Sequence, residues 1–280
     1  MTAPQIGEAR VPGREAPAVT VPPVAVRARD VLVSEWTKIR STRAYLWTLL
    51  IAAVVTVGST AVVAQTFVKS PPGPRGGPLG PLSESFLGYA EYAVLPVTIL
   101  GVLVFTSEYS SGLIATTFTA VPRRWAVLAA KAAVAGTAAL VAGEVLALAT
   151  FGLTQAILSG RHGGLSLAAP GVPGAVLAAG AVLAACALTG LALGAMLRHP
   201  AGAIAASVAV IYAVAAACEF LPSGWKDRVG RFTLPLAATQ VVAQHPQAGL
   251  FAPAWSMLVV LAWPAAALLA AAVVITRRAA

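Results

Sequence analysis

Long apolar runs separated by polar connections are the feature that most constrains how this chain can fold. An α-helix needs about 20 apolar residues to cross the hydrocarbon core of a bilayer. Such runs lie at about 45–68, 86–107, 124–157, 174–197, 201–221 and 254–276. Because only 10% of the residues are charged and 58% are hydrophobic, the chain has too little charge to cover a water-facing surface. The sequence therefore predicts an all-α integral membrane protein with six transmembrane helices.

The distribution of basic residues predicts the orientation of these spans. Lysine and arginine accumulate on cytoplasmic connections, and the chain has a formal net charge of +9. If the connections alternate between the two sides, thirteen of the 19 lysines and arginines lie on the side of both termini and six on the other. This indicates a multi-pass protein of the cell membrane with cytoplasmic termini. Basic patches interleaved with aromatics, which bind nucleic acid, are absent, so no nucleic-acid partner is expected.

The N-terminal region divides into two parts. Residues 1–26 are rich in proline, alanine and valine without periodicity and are predicted to be a disordered cytoplasmic tail, which leaves 27–280 as the membrane domain. Residues 27–42 place Val31, Leu32, Trp36 and Ile39 on one helical face and polar residues on the other. That pattern favours a helix lying flat in the membrane interface before the first span. The alternative is a cytoplasmic extension of that span.

The segment "EYSSGLIATTFTAVPRR", from Glu108 to Arg124, is long and polar for a connection between two spans. Its Ser-Ser-Gly weakens helix propensity and predicts a bend after the second span. Leu113, Ile114 and Phe118 can form one apolar edge of a short helix up to Ala120, which the Val-Pro pair then ends. A simple loop does not need this order of residues. We therefore expect a short cytoplasmic helix that docks onto another protein.

The remaining connections and the third run add further expectations. Residues 69–84 form a Pro/Gly-rich loop. The stretch "LPLAATQVVAQ" within 222–253 is too short to span and fits a re-entrant or interfacial helix on the outer face before the sixth span. The third run exceeds the length of a span, so one end projects or the helix breaks. The candidate bend sites are Gly136, Gly143 and Gly152.

Residues that carry chemistry are sparse. The chain has no G-x-x-x-x-G-K-[ST] or H-E-x-x-H motif, its three histidines are isolated, and Cys186 and Cys218 lie in apolar runs, so no catalytic group, disulfide, metal or bound cofactor is expected. Ionisable residues inside a membrane are costly and usually face a cavity or a bundle interior. Glu91, Glu144 and Glu219 are therefore candidates for a transport pathway or for locking helices together. Glu144, well inside the third run, is the strongest, with a structural hydrogen-bonded glutamate as the alternative.

Four segments in order resemble type 2 ABC transporter permeases, particularly those of actinobacteria: "SEWTKIRSTRAYLWTLL", "EYSSGLIATTFTAVPRRWAVLAAK", "LPLAATQVV" and the terminal "RRAA". The resemblance implies a permease domain over 27–280 that pairs with a like or different permease and with two copies of a separate ATPase subunit, which would bind ATP and Mg. It implies a coupling helix within Glu108–Ala120 that contacts the ATPase through Glu108, Tyr109, Ser110, Ser111, Gly112, Leu113 and Phe118. It also implies an elbow helix that includes Leu32, Glu35, Trp36, Lys38, Ile39 and Arg40.

The residues leave two other functions open. A secondary transporter or channel would need denser polar sites inside the spans, often in two matching halves, and the chain shows neither. A non-transport protein, such as a membrane anchor for an ATPase or a sensor, is harder to separate by sequence. The substrate, and whether it is exported or imported, does not follow from the residues. A mostly apolar bundle suits an amphipathic or lipophilic cargo.

Overall fold

The fold follows the apolar runs closely. The computed structural model describes residues 27–69, 86, 92–121, 123–159, 165–243 and 249–277, and within these ranges the secondary structure is helical, without strands. The helices are α1 (Ala28–Ser41), α2 (Arg43–Lys69), α3 (Val94–Ser110), α4 (Leu113–Ala120), α5 (Arg124–Leu158), α6 (Val172–Leu197), α7 (Pro200–Glu219), α8 (Ser223–Gly230), α9 (Leu234–Val241) and α10 (Pro253–Arg277). Inside α7, Ala209–Ala213 form one π-helical turn.

Five helices, α2, α5, α6, α7 and α10, are long and apolar enough to cross a membrane. The number rises to six if α3 and α4, which meet at 90°, are counted together as one broken span. The chain is therefore a multi-pass membrane protein with an all-helical bundle. Helix α3 by itself has 17 residues. The second span was predicted to begin at residue 86, and most of residues 86–93 lie outside the described ranges.

The bundle has two ends with separate apolar cores. One core joins Phe105 of α3 to Ile114 and Phe118 of α4 and to Ile275 near the end of α10, with Ile39 of α1 packed against it. We call this the near end. The other core joins the start of α3 and of α6 to the middle of α7, to α9 and to the first half of α10, and we call it the far end. Successive spans thus run in alternating directions between the two ends.

Helix α6 is the centre of the bundle. In its most apolar stretch 72% of the residues are buried, against 17% to 33% in the other four candidate spans. It crosses α3 at very short range, because Gly190 lies against the backbone carbonyl of Thr98 and Gly101 lies against that of Ala187. Small residues at such crossings let two backbones approach in a membrane, where no hydrophobic effect drives helices together. The other spans surround this central pair.

Helix α2 contacts the bundle through a narrow stripe of small residues. Ala52, Thr56, Thr60 and Ala64, at every fourth position, are all at most 2% exposed. The opposite side carries exposed large apolar residues, among them Leu46, Trp47, Leu50, Ile51 and Val54. Residues four apart lie on one face of an α-helix. A face this apolar is suited to lipid, which agrees with a span at the rim of the bundle.

Helix α5 runs without interruption over 35 residues. The helix does not break at any of the three glycines, because Gly136, Gly143 and Gly152 all lie within the continuous helix. Gly143 packs directly on Gly180 of α6, so it permits close contact between the two helices. At about 1.5 Å per residue, α5 exceeds the hydrocarbon thickness of about 30 Å. The other expectation, that one end of α5 projects beyond the membrane, stays a prediction.

Two short helices cover the far end. The apolar stretch predicted to be re-entrant or interfacial forms α9, whose Leu234, Ala237 and Ala238 are buried against α6 and α10. The indole N–H of Trp263 on α10 donates to the carbonyl oxygen of Phe232 at 2.9 Å, which ties the segment to α10. Its depth relative to a bilayer stays a prediction. The predicted tail (1–26) and most of the Pro/Gly loop lie outside the described residues.

Candidate functional site

The junction between α3 and α4 is built by the Ser-Ser-Gly sequence. The side-chain hydroxyls of Ser110 and Ser111 donate to the carbonyl of Ser107 at 3.0 and 2.8 Å, and the backbone N–H of Ser111 donates to the same oxygen at 3.1 Å. Gly112 follows with φ of 74°, a left-handed conformation that glycine adopts without the steric penalty of other residues. Helix α4 then starts at Leu113 and turns 90° away from α3. The predicted bend is therefore present.

Helix α4 has one buried and one exposed face. Ile114 and Phe118 are each 8% exposed and pack into the near-end core, and the guanidinium carbon of Arg124 lies 5.3 Å from the centre of the Phe118 ring. The opposite face carries Leu113, which is 54% exposed. The other exposed residues there are Ala115, Thr116, Thr119 and Ala120. The helix thus presents a small, largely uncharged surface at the near end.

A cluster of four charged side chains holds the near end together. Lys131 Nζ of α5 lies 2.7 Å from Glu35 Oε2 of α1 and 2.6 Å from Glu108 Oε1 of α3. Lys38 Nζ of α1 lies 2.7 Å from Glu35 Oε1 and 2.7 Å from the same Glu108 oxygen. We call these four residues the ion cluster. The two positive and two negative charges cancel, and they connect three helices that are distant in sequence.

Burial makes the ion cluster energetically sensitive. Lys131 is 1% exposed, Glu35 is 2% exposed and Glu108 is 5% exposed. Burial alone would lower the pKa of Lys38, but its hydrogen bonds to Glu108 and Glu35 outweigh this, and the pKa is raised above its ordinary value of 10.5. Among the described residues, Glu108 Oε2 has no hydrogen-bond partner. Removing one member of a buried ion pair typically costs about 3–5 kcal/mol, because the other charge is left uncompensated.

The residues predicted to contact an ATPase occupy two different environments. Ser110, Ser111, Gly112 and Leu113 are exposed. Tyr109 is half-buried, with the Arg198 guanidinium carbon 5.4 Å from its ring centre. Glu108 and Phe118 are buried against the chain's own helices. In this structure, Glu108 therefore binds lysines of its own chain, and the surface open to a partner begins two residues later, at Ser110.

The elbow residues divide in a similar way. Leu32 and Trp36, at 38% and 50% exposure, point away from the bundle, as does Arg40. Glu35 faces inward, while Lys38 and Ile39 are partly buried. The exposed surface of α1 combines Leu32 and Trp36 with basic and hydroxyl-bearing side chains, a mixture that is suited to a lipid interface. The helical wheel grouped Leu32 and Trp36, which are exposed, with Ile39, which packs against the near-end core, and it did not reveal the contacts of Glu35.

The acids proposed for a transport pathway, as far as they lie in the described part of the chain, have separate environments. Glu144 lies beside Gly180 of α6, with its carboxylate over the glycine Cα, and is only partly buried. Glu219 is exposed at the end of α7 and pairs with Lys226 of α8. Glu91 lies outside the described residues. No group of three or more metal-ligating side chains occurs in the part of the chain that is described.

No protein-family model matches the chain, and no curated protein matches it. The resemblance to type 2 ABC permeases therefore rests on the four sequence segments alone.

Proposed function

We propose that this chain is the membrane-spanning permease subunit of an ATP-binding-cassette exporter. The observation that carries the proposal is α4: an eight-residue helix perpendicular to α3, with a buried apolar face and an exposed face of small residues. Docking of α4 onto a separate protein at the near end would explain why this helix is held at right angles to the span that precedes it.

The partner we propose is an ATPase subunit, present in two copies in the complex. The sequence has no P-loop motif, so this chain would not bind ATP and Mg through one, and the energy would come from the partner. Two ATPases imply two permeases, a homodimer or a heterodimer with a related chain. The translocation pathway then lies between the two permease subunits, which are surrounded by membrane lipid.

The ion cluster would transmit the movement. Glu108 lies in the last turn of α3, before α4, and Lys131 lies about two turns into α5, after α4. When the two ATPases close on ATP, force on α4 would reach both spans through these short links, and α1 would move with them through Glu35. ATP can drive this change only if the ATPase contacts α4 differently in its two states.

The test is co-expression with a candidate ATP-binding-cassette ATPase subunit from the same genome. Leu113→Glu places a charge on the exposed face of α4, and we expect it to weaken assembly about tenfold or more, since interface hot spots contribute about 2 kcal/mol or more. Val229→Glu, an equally apolar exposed position on α8 at the far end, is the matched control and should assemble normally. Co-purification and ATPase activity in nanodiscs are the two readouts.

Two outcomes would oppose the proposal. If Leu113→Glu leaves both assembly and ATPase activity at the level of Val229→Glu, α4 is not the docking helix. If liposomes that contain this chain alone transport a solute without ATP, the chain is a secondary transporter or channel.

A further inference from the structure

A cavity of about 450 Å³ lies at the far end, between α3, α6, α7, α8 and α9. Small-molecule sites commonly have volumes of about 300–1,000 Å³, so this cavity is large enough for a ligand. Its deeper part is lined by buried side chains from four elements: Val94, Cys186, Ile211, Cys218 and Leu234. Both cysteines of the chain face this one space as free thiols.

The wall of the cavity contains the π-helical turn of α7. Ile211 and Tyr212, which belong to Ala209–Ala213, both line the space. An extra residue in a helical turn shifts the side chains that follow it around the helix axis, and such turns occur frequently at functional sites. The shift brings Ala215, Cys218 and Glu219 to the cavity wall as well. The irregular turn and the cavity are thus parts of one feature.

The mouth of the cavity is negatively charged. Glu219, Lys226 and Asp227 line it. Glu219 pairs with Lys226, whereas Asp227 forms no salt bridge with any residue that the structure describes. Arg228 and Arg231 are also on or next to α8, but neither lines the cavity, and the Arg231 guanidinium lies over the rings of Phe232 and Phe251. The three described charged side chains at the opening thus carry two negative charges and one positive charge.

We propose that this far-end cavity binds amphipathic cations, with the apolar body of the ligand between α6, α7 and α9 and its basic group at Asp227 and Glu219. An apolar pocket with a few polar groups at one side is the usual form of a small-molecule site. The unpaired carboxylate selects a positive charge over a negative one. The site lies within one chain at the end opposite α4, so it goes beyond the proposed ATPase coupling and does not depend on it.

Equilibrium dialysis of the purified full chain in phosphatidylcholine nanodiscs tests the proposal without any ATPase. The probes share one alkyl chain and differ in the head group: octyltrimethylammonium, octanol and octanesulfonate. We expect saturable binding of one octyltrimethylammonium per chain, on the order of tenfold tighter than octanesulfonate at low ionic strength. The preference should shrink as salt is added, because exposed charges are screened. Binding without saturation, or equal affinity for all three probes, would overturn it.

Two variant pairs locate the site. Asp227→Asn should reduce the preference for the cation about threefold to fivefold, whereas Asp30→Asn, an exposed carboxylate on α1 at the near end, should leave it unchanged. Ala215→Trp fills the cavity and should abolish saturable binding, while Ala213→Trp, which is exposed on the same helix, should not. If Ala215→Trp does not fold, the exposed Asp227→Asn still decides, and an unchanged preference there contradicts the assignment.

Discussion

Lys131 shows how strongly one residue can depend on partners that are remote in sequence. It lies about two turns into α5, in a largely apolar helix, and is 1% exposed. A lysine buried without a counter-charge would lose its proton or destabilise the fold. Glu35 and Glu108 supply two carboxylates, and the ring centre of Phe105 lies 5.8 Å from its ammonium nitrogen. Three helices thus converge on this one ammonium group.

This arrangement predicts a non-additive pair of substitutions. Lys131→Met leaves two buried carboxylates with only Lys38, and we expect a loss of about 3–5 kcal/mol in the free energy of unfolding. Lys131→Met combined with Glu108→Gln restores charge balance between Glu35 and Lys38. The double variant should therefore be more stable than Lys131→Met alone. Thermal unfolding of the detergent-solubilised chain measures both, and losses that simply add would show that the ion cluster does not act as a unit.

At the scale of helices, packing of backbone on backbone decides where α3 and α6 cross. A Cβ at Gly190 would overlap the carbonyl oxygen of Thr98, which cannot move aside as a flexible side chain can. Gly190→Ala should therefore separate the two helices and lower stability by about 1–3 kcal/mol, the usual cost of overpacking. Gly58→Ala, on α2 with open space around the added methyl, is the matched control.

The measurement is the midpoint of thermal unfolding for both glycine variants. Gly58→Ala should be neutral or slightly stabilising, since alanine favours helix by about 1 kcal/mol. Equal midpoints for Gly190→Ala and Gly58→Ala would mean that the α3–α6 crossing tolerates a wider spacing than the structure indicates.

Helices and their contacts differ in how far they follow from sequence. The long spans were predictable, because a run such as 174–197 is apolar throughout and length alone identifies it. The bend at Gly112 was predictable from local residue types. The ion cluster was not, since Glu35 and Lys131 are 96 positions apart and Lys131 looked like another cytoplasmic basic residue. A charge within an apolar run was the only available signal, and it does not identify the partner.

The far-end cavity was also beyond prediction from sequence, for a similar reason. Its lining comes from α3, α6, α7, α8 and α9, and the π-helical turn that turns Ile211 toward it has no known marker in "AVIYA". Sequence did single out Glu219 as an ionisable residue near the end of a span. The sequence did not indicate that Glu219 and Asp227 border the same cavity.

At the scale of the whole molecule, the orientation of the bundle remains a prediction from charge. With Lys131 set aside as a buried, paired residue, twelve lysines and arginines belong to the near-end side and six to the far-end side, so the near end should be cytoplasmic.

In a Cys186→Ala/Cys218→Ala background, Ser111→Cys reports on the near end and Gly224→Cys on the far end, and both positions are exposed. A membrane-impermeant maleimide should label Gly224→Cys in intact cells, and Ser111→Cys only after permeabilisation. The reverse pattern would place α4 outside the cell, where no ATP-driven subunit could dock, and would end the permease proposal together with the orientation.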